Sequence, residues 1–286
     1  MPKILFGCCL MVLMSCLSAQ SFEFRSAATG LAITAAELAD SLARHDVVFF
    51  GEWHGNTAIH GAQLEITKLL HTRNPRLVLS FEMFERDVQP ALDAYLREET
   101  SEDEFLAVSR PWSNYPSDYR PLVEFARSES LKAVAANVPR RLAALAARLG
   151  GSWRDVLDEA ELAFAATQVH TPDGTYKQNF LATMGGMAHG NSEVAARVEN
   201  MYLAQCLKDD TMAESILAAI NADPGGKILH FNGDFHSRQF LGTVERLLWR
   251  LPGLRVAVIA PHLAGENLPD QPEQEADFYL IVPKAE

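Results

Sequence analysis

Residues 47–54 read Val-Val-Phe-Phe-Gly-Glu-Trp-His, four apolar side chains that stop at a glycine, a carboxylate and an imidazole. A short run of β-branched and aromatic residues closed by glycine predicts a strand buried on both faces. The same arrangement recurs along the chain. Residues 77–81 stop at Glu82, and residues 131–136 stop at Asn137, Val138, Pro139 and Arg140. Residues 228–231 stop at Asn232, Gly233, Asp234, Phe235 and His236, and residues 255–260 stop at Pro261 and His262. Ligands of open parallel sheets bind beyond the carboxyl ends of the strands. Glu52, His54, Glu82, Arg140, Asp234, His236 and His262 are therefore expected along one sheet edge, bordering a polar crevice.

Between these runs lie helical patterns. Thr34 with Glu37 three residues on forms a capping box that opens a helix to about Arg44. Ile59, Ala62, Ile66, Leu69 and Leu70 recur at helical spacing, and further helices are expected over 88–97, 102–108 and 122–128. From Pro139 to about Ala222 no strand pattern occurs. Helices are expected over 140–149, from Ser152 to about Thr167, and from Ser192 to about Asn221, with 170–177 a polar loop and 184–191 a glycine-rich break. A helix over 240–249 and a strand at 278–282, placed at the sheet edge, complete the chain. The fold class is α/β: a predominantly parallel sheet flanked by helices, with a small all-helical subdomain inserted before the last strands. Residues 31–138 and 226–286 form the sheet domain, and 139–225 the helical subdomain.

The N-terminus reads as a targeting segment. Lys3 precedes an apolar run over 4–14, too short for a transmembrane helix, which needs about 20 residues. It ends in Leu13-Met14-Ser15-Cys16, which resembles a bacterial lipobox. Residues 1–15 are then a lipoprotein signal peptide, Cys16 the lipidated residue and 16–30 a tether. Cleavage after Ala19, and an unprocessed start, are the competing readings. Stable anchoring needs more than one acyl chain, as a triacylated cysteine supplies. Leu17 in place of Asp favours the outer membrane in a cell with two. Cys8, Cys9 and Cys16 all lie in this leader, so Cys206 is the only cysteine of the body, with no disulfide framework possible. It reads as a small buried side chain. The formal charge of −12 argues against a nucleic-acid partner, since phosphate backbones need a basic surface.

Several motifs occur in a fixed order: Gly51-Glu52-x-His54, His60 and Gln63, Phe81-Glu82-Met83-Phe84, Asn137-x-Pro139-Arg140, Asp210-x-Met212-Ala213 and Gly233-Asp234-x-His236. Together with the lipobox, this set resembles the ChaN-like haem-binding lipoproteins over most of the chain. The resemblance implies a parallel-sheet domain with a small helical domain. It also implies a homodimer that holds two stacked ferric haems, each iron bound by a tyrosine of one subunit with a histidine of the other nearby. A role in haem or iron acquisition follows, with a haem receptor or transporter as a further partner. In this sequence Tyr176 and His189 resemble the family's pair. Tyr176 sits in an expected loop, where its hydroxyl would face outward, whereas Tyr202 has apolar helical neighbours and reads as a packing residue. Phenolate is a known axial ligand of ferric haem. Met184 and Met187 would lie beside the macrocycle, although such a pair is more often core or interface filling than a ligand.

Two other readings compete. Glu52, His54, Glu82 and His236 are the residue types of metal-assisted or general-base hydrolysis. The same residues could form a hydrogen-bonded network that seals the strand ends, with Glu82 and Arg140 paired. No GxSxG, P-loop or GxGxxG occurs. The third reading is a structural lipoprotein with no ligand.

Overall fold

The structure, a computed structural model, describes residues 22–184 and 192–284. Cys16, Met187 and His189 lie outside them. Among the described residues no helix is long and apolar enough to cross a membrane.

The elements in chain order are β1 (Glu23–Ser26), β2 (Ala32–Ile33), α1 (Ala35–Leu42), β3 (Val47–Glu52), α2 (Thr57–Arg73), β4 (Leu77–Glu85), α3 (Gln89–Leu96), α4 (Glu102–Ser109), α5 (Arg120–Ser128) and β5 (Lys132–Asn137). There follow α6 (Arg140–Leu149), α7 (Glu159–Leu162), α8 (Thr175–Thr183), α9 (Ser192–Ala222), β6 (Lys227–Gly233), α10 (Thr243–Arg250), β7 (Val256–Leu263) and β8 (Phe278–Val282). The strands form one sheet in the order β2-β1-β8-β7-β3-β6-β4-β5. All pairings from β8 to β5 are parallel, and β1 and β2 are antiparallel. The chain is thus α/β, as its strand–helix alternation predicts.

β3 is buried at every position because helices cover both faces of the sheet. Phe50, Ile59, Leu79, Phe81 and Phe231 belong to the core on one face. Phe49, Val258, Ile216 and Leu247 belong to that on the other. Each such side chain contributes about 1.5–3 kcal/mol when fully removed from water. The open rim of edge strand β5 is capped by one side chain. Gln89 donates from Nε2 to Ala133 O at 2.9 Å and accepts from Ala135 N at 2.7 Å, as a neighbouring strand would.

Three expectations are corrected. β8 is an interior strand, because β1 pairs with its outer side from Glu23 to Ser26. That pairing joins segments some 250 residues apart by subtraction of their numbers, beyond the reach of local pattern. The helix expected from Ser152 to Thr167 is broken into a 3-10 segment over Gly150–Val156 and the short α7. Asp158 starts α7 afresh by accepting from Glu161 N at 2.8 Å. The helix expected from residue 240 begins at Thr243, since Gln239 and Phe240 both have positive φ.

Candidate functional site

The parallel register brings the strand ends together. Glu52, the last residue of β3, lies opposite Gly233, the last residue of β6. Around them opens a cavity of about 690 Å³ lined by Trp53, His54, Tyr176, Asn179, Asp234 and His236 among others. That volume is in the range of small-molecule sites.

Glu52 is almost fully buried. Its Oε1 accepts from Tyr119 Oη at 2.7 Å and lies 2.8 Å from His54 Nδ1, while its Oε2 accepts from Gln63 Nε2 at 2.8 Å. Behind Gln63 sits His60, whose Nδ1 is 2.9 Å from Gln63 Oε1 and whose Nε2 is 3.1 Å from Asp118 Oδ2. A single π-helical turn over Tyr115–Tyr119 turns Tyr119 and Asp118 inward. His54 itself is half exposed, with its ring edge-on to Trp112. The hydrogen bond to Glu52 raises the His54 pKa above the ordinary imidazole value. Burial opposes that shift, the charges of Glu82 and Glu52 add to it, and His236 subtracts.

The second cluster lies deeper. Glu82 accepts from Gly233 N at 2.7 Å and stands 3.3 Å from His236 Nε2. His236 Nδ1 donates to Asp209 Oδ1 at 2.7 Å, and Thr243 Oγ1 donates to the same oxygen at 2.9 Å. Burial disfavours charge on the His236 ring, but Glu82 and Asp209 outweigh it and push the ring up to about 10. Burial likewise disfavours the Glu82 carboxylate, and the facing imidazoles hold it well below the usual range all the same. Asp234, on the cavity wall, is pushed up to about 6 by burial although Arg238 pairs with it.

Two glycines permit this crowding. A Cβ on Gly233 would stand 2.9 Å from His54 Nε2, and one on Gly51 would stand 2.9 Å from Asp234 Oδ1 and 3.1 Å from the Ile259 carbonyl. The strand ends must therefore carry glycine for the ionisable side chains to pack around them.

The sequence-predicted residues fare unequally. Glu52, His54, Glu82, Asp234 and His236 come together. Arg140 is exposed and makes no pair with Glu82, whose partners are His236 and the Gly233 amide. His262 stands beside Tyr279 and the Glu266 carbonyl, outside the cavity lining. Tyr176 is not in an outward-facing loop. It lies in the first turn of α8 with its hydroxyl turned inward to Asp209. It is buried, and Arg246 sits 5.0 Å from its ring centre. Burial and Asp209 hold the phenol in its protonated form well above the ordinary range. Met184 is half buried against the small core of Tyr176, Phe180, Val198, Tyr202 and Cys206. Tyr202 packs there and donates to the Pro172 carbonyl at 2.7 Å. Cys206 is fully buried, and burial pushes its thiol up to about 12.

Sequence reasoning missed Asp209, Tyr119 and Arg246. Asp209 and Asp210 interrupt the apolar face of α9 just after Leu207, and a carboxylate pair at buried helical positions was the available signal. Among the described residues, no group of three or more His, Cys, Asp or Glu is placed to hold a metal ion.

The model of a family described as haem-binding uptake, Tiki superfamily, ChaN matches residues 38–247. Among solved structures the chain is similar to ChaN of Campylobacter jejuni, described as binding heme cofacially. The TM-score is 0.66 and the identity 16%, over 91% of this chain and 96% of that one. It is also similar to a mutant of the erythromycin esterase EreC in its open conformation, with TM-score 0.52 and 14% identity over 90% and 82% of the two chains. At such identities the likeness is one of fold. No curated protein matches the chain.

Proposed function

The chain belongs to the ChaN family of haem-binding uptake proteins, and on that premise we propose that it captures ferric haem through Tyr176 in haem or iron acquisition. The observation that carries this reading is the position of Tyr176. All six tyrosines of the chain are buried, and Tyr176 is the one that lines the strand-end cavity. The lining fits the cargo. It supplies a hard oxygen donor together with the apolar surfaces of Trp53, Ala182 and Phe235. A phenolate holds iron in the ferric state. Ligation requires Tyr176 Oη to leave Asp209 and give up its proton.

In the same reading the protein is a homodimer with two stacked haems. The partner subunit's His189 approaches each iron, and Met184 and Met187 lie beside the macrocycles. A receptor or transporter takes the haem onward. Haemin titration tests this. The wild type should show a phenolate-to-iron charge-transfer band and should dimerise as haemin is added, because a ligand that binds only the dimer stabilises it. Tyr176→Phe should lose the band with its far-ultraviolet circular dichroism unchanged. An unchanged spectrum in Tyr176→Phe removes Tyr176 as the ligand. A monomer at saturating haemin removes the shared interface.

The cell-envelope location rests on Leu13-Met14-Ser15-Cys16. Acylation of Cys16 anchors the protein, and Cys16→Ala should move it from the membrane to the soluble fraction. Mass spectrometry that finds a free, unmodified N-terminus at Gln20 would refute the anchor.

A further inference from the structure

We propose that the strand-end crevice is also a hydrolytic site, in which His54 is the general base toward small neutral or cationic esters.

The argument starts from the setting of Glu52. Burying an ionised carboxylate costs several kcal/mol unless its oxygens are paired and hydrogen-bonded. Glu52 meets that condition through Tyr119, Gln63 and His54. Two of the three partners are buried or inward-facing. Only His54 carries the arrangement to the surface, with 46% of its side chain exposed. A network that merely sealed the strand ends would bury this imidazole too. The arrangement fixes a tautomer. With Nδ1 protonated toward the carboxylate, Nε2 keeps its lone pair, on the ring edge beside Gly233. Trp112 packs edge-on against the ring at 4.9 Å between centres, and the bare Gly233 leaves room for Nε2. An oriented imidazole with a buried carboxylate behind it and a cavity of about 690 Å³ in front is the equipment of general-base catalysis.

The step balances with water as co-reactant. His54 Nε2 takes one proton from water as the water oxygen bonds to the acyl carbon, and the carbonyl π pair moves onto its oxygen. Collapse restores the carbonyl, breaks the bond to the leaving oxygen, and returns the proton from Nε2 to that oxygen. The products are a carboxylic acid and an alcohol.

Charge selects the substrate. Glu52, Glu82, Asp209 and Asp234 border or back the cavity, against the cations His236 and Arg238 and, behind Tyr176, Arg246. All three cations are already paired with those acids or with Asp210, Glu245 and Glu275. An anionic ester is repelled from such a site, and neutral or cationic esters are not. Tyr119 and Gln63 act as positioning residues, since each donates to Glu52 and neither lines the cavity.

The test uses the full-length, haem-free protein with 4-nitrophenyl butyrate, butyrylcholine and the anionic monoester 4-nitrophenyl succinate. The first two should be turned over, with kcat/KM at least about tenfold above the third. His54→Ala and His54→Gln should each lower kcat/KM by roughly 100-fold or more, with melting curves that confirm the fold. His262→Ala, a histidine outside the cavity, should leave turnover unchanged and so excludes a generic surface-imidazole reaction. In the wild type, kcat/KM should fall as acid protonates His54, whose facing charged groups are Glu52, Glu82 and His236. Tyr119→Phe should move that limb, which a merely structural role would leave in place. No turnover of either favoured ester above the buffer rate, or equal turnover in wild type and both folded His54 variants, overturns the proposal. Neither outcome bears on haem binding by Tyr176.

Discussion

Asp210→Ala should lower the unfolding free energy by roughly 3–5 kcal/mol, the usual cost of breaking a buried ion pair from one side. Asp210 has no exposed surface. One oxygen accepts from Arg250 Nη2 at 2.7 Å and lies 3.0 Å from His170 Nδ1. The other accepts from the His170 amide at 2.7 Å and from Arg246 Nε at 3.3 Å. Arg246 is itself fully buried, so removal of the carboxylate takes away its hydrogen-bonded partner at Nε and leaves the guanidinium, away from water, to Glu245 at 2.9 Å and the nearby charge of Asp209. The same carboxylate ties the loop before α8 to α9 and α10. Urea denaturation reads the effect. A loss below about 1 kcal/mol would mean that Arg246 finds other partners and that Asp210 is not the clamp of the helical region.

The second large effect is a loss of stability in alkali. His236 stays protonated up to about 10 in the folded chain, because Glu82 and Asp209 overcome the penalty of burial. An unfolded histidine titrates near 6.5. The folded pKa is raised, so the contribution is fully present below about pH 6.5 and is lost as pH rises from there toward 10. In that interval the folded state binds one proton more than the unfolded state. Stability should therefore fall with a limiting slope of about 1.4 kcal/mol per pH unit. His236→Gln cannot carry the proton and should be less stable at pH 6, with a much flatter alkaline slope. Urea melts between pH 6 and 10 measure both. Parallel slopes in the two proteins would show that His236 is not charged between its carboxylates.

These two networks explain why the candidate site was only half legible beforehand. Glu52, Glu82 and His236 were visible because a buried parallel strand is a continuous apolar run, although β4 does not stop at Glu82 and runs on to Glu85. The capping box at Thr34 was visible because it involves residues three apart, and it forms. What holds the site was not visible. Tyr119 reaches Glu52 from 67 positions away, Tyr176 reaches Asp209 from 33, and His236 reaches Asp209 from 27. No periodicity links such pairs. The misplacement of Tyr176 has the same origin. Its polar neighbours Asp173 and Gly174 read as a turn, and the chain does bend there, but the helix that follows buries the ring against Phe235 and Tyr202.

By itself, then, the sequence determined the α/β class, the apolar strands that run into ionisable groups and the helix start marked by the capping box at Thr34. Those depend on free energies summed over a few adjacent residues, which local order encodes directly. Only the tertiary structure decided that β8 lies inside the sheet, that β6 enters between β3 and β4, and that Tyr176 shares one cavity with Glu52 and His54. Strand order and side-chain partnership are set by which distant surfaces bury each other best and which buried charges find a counter-charge. Those energies exist only once the chain has closed on itself.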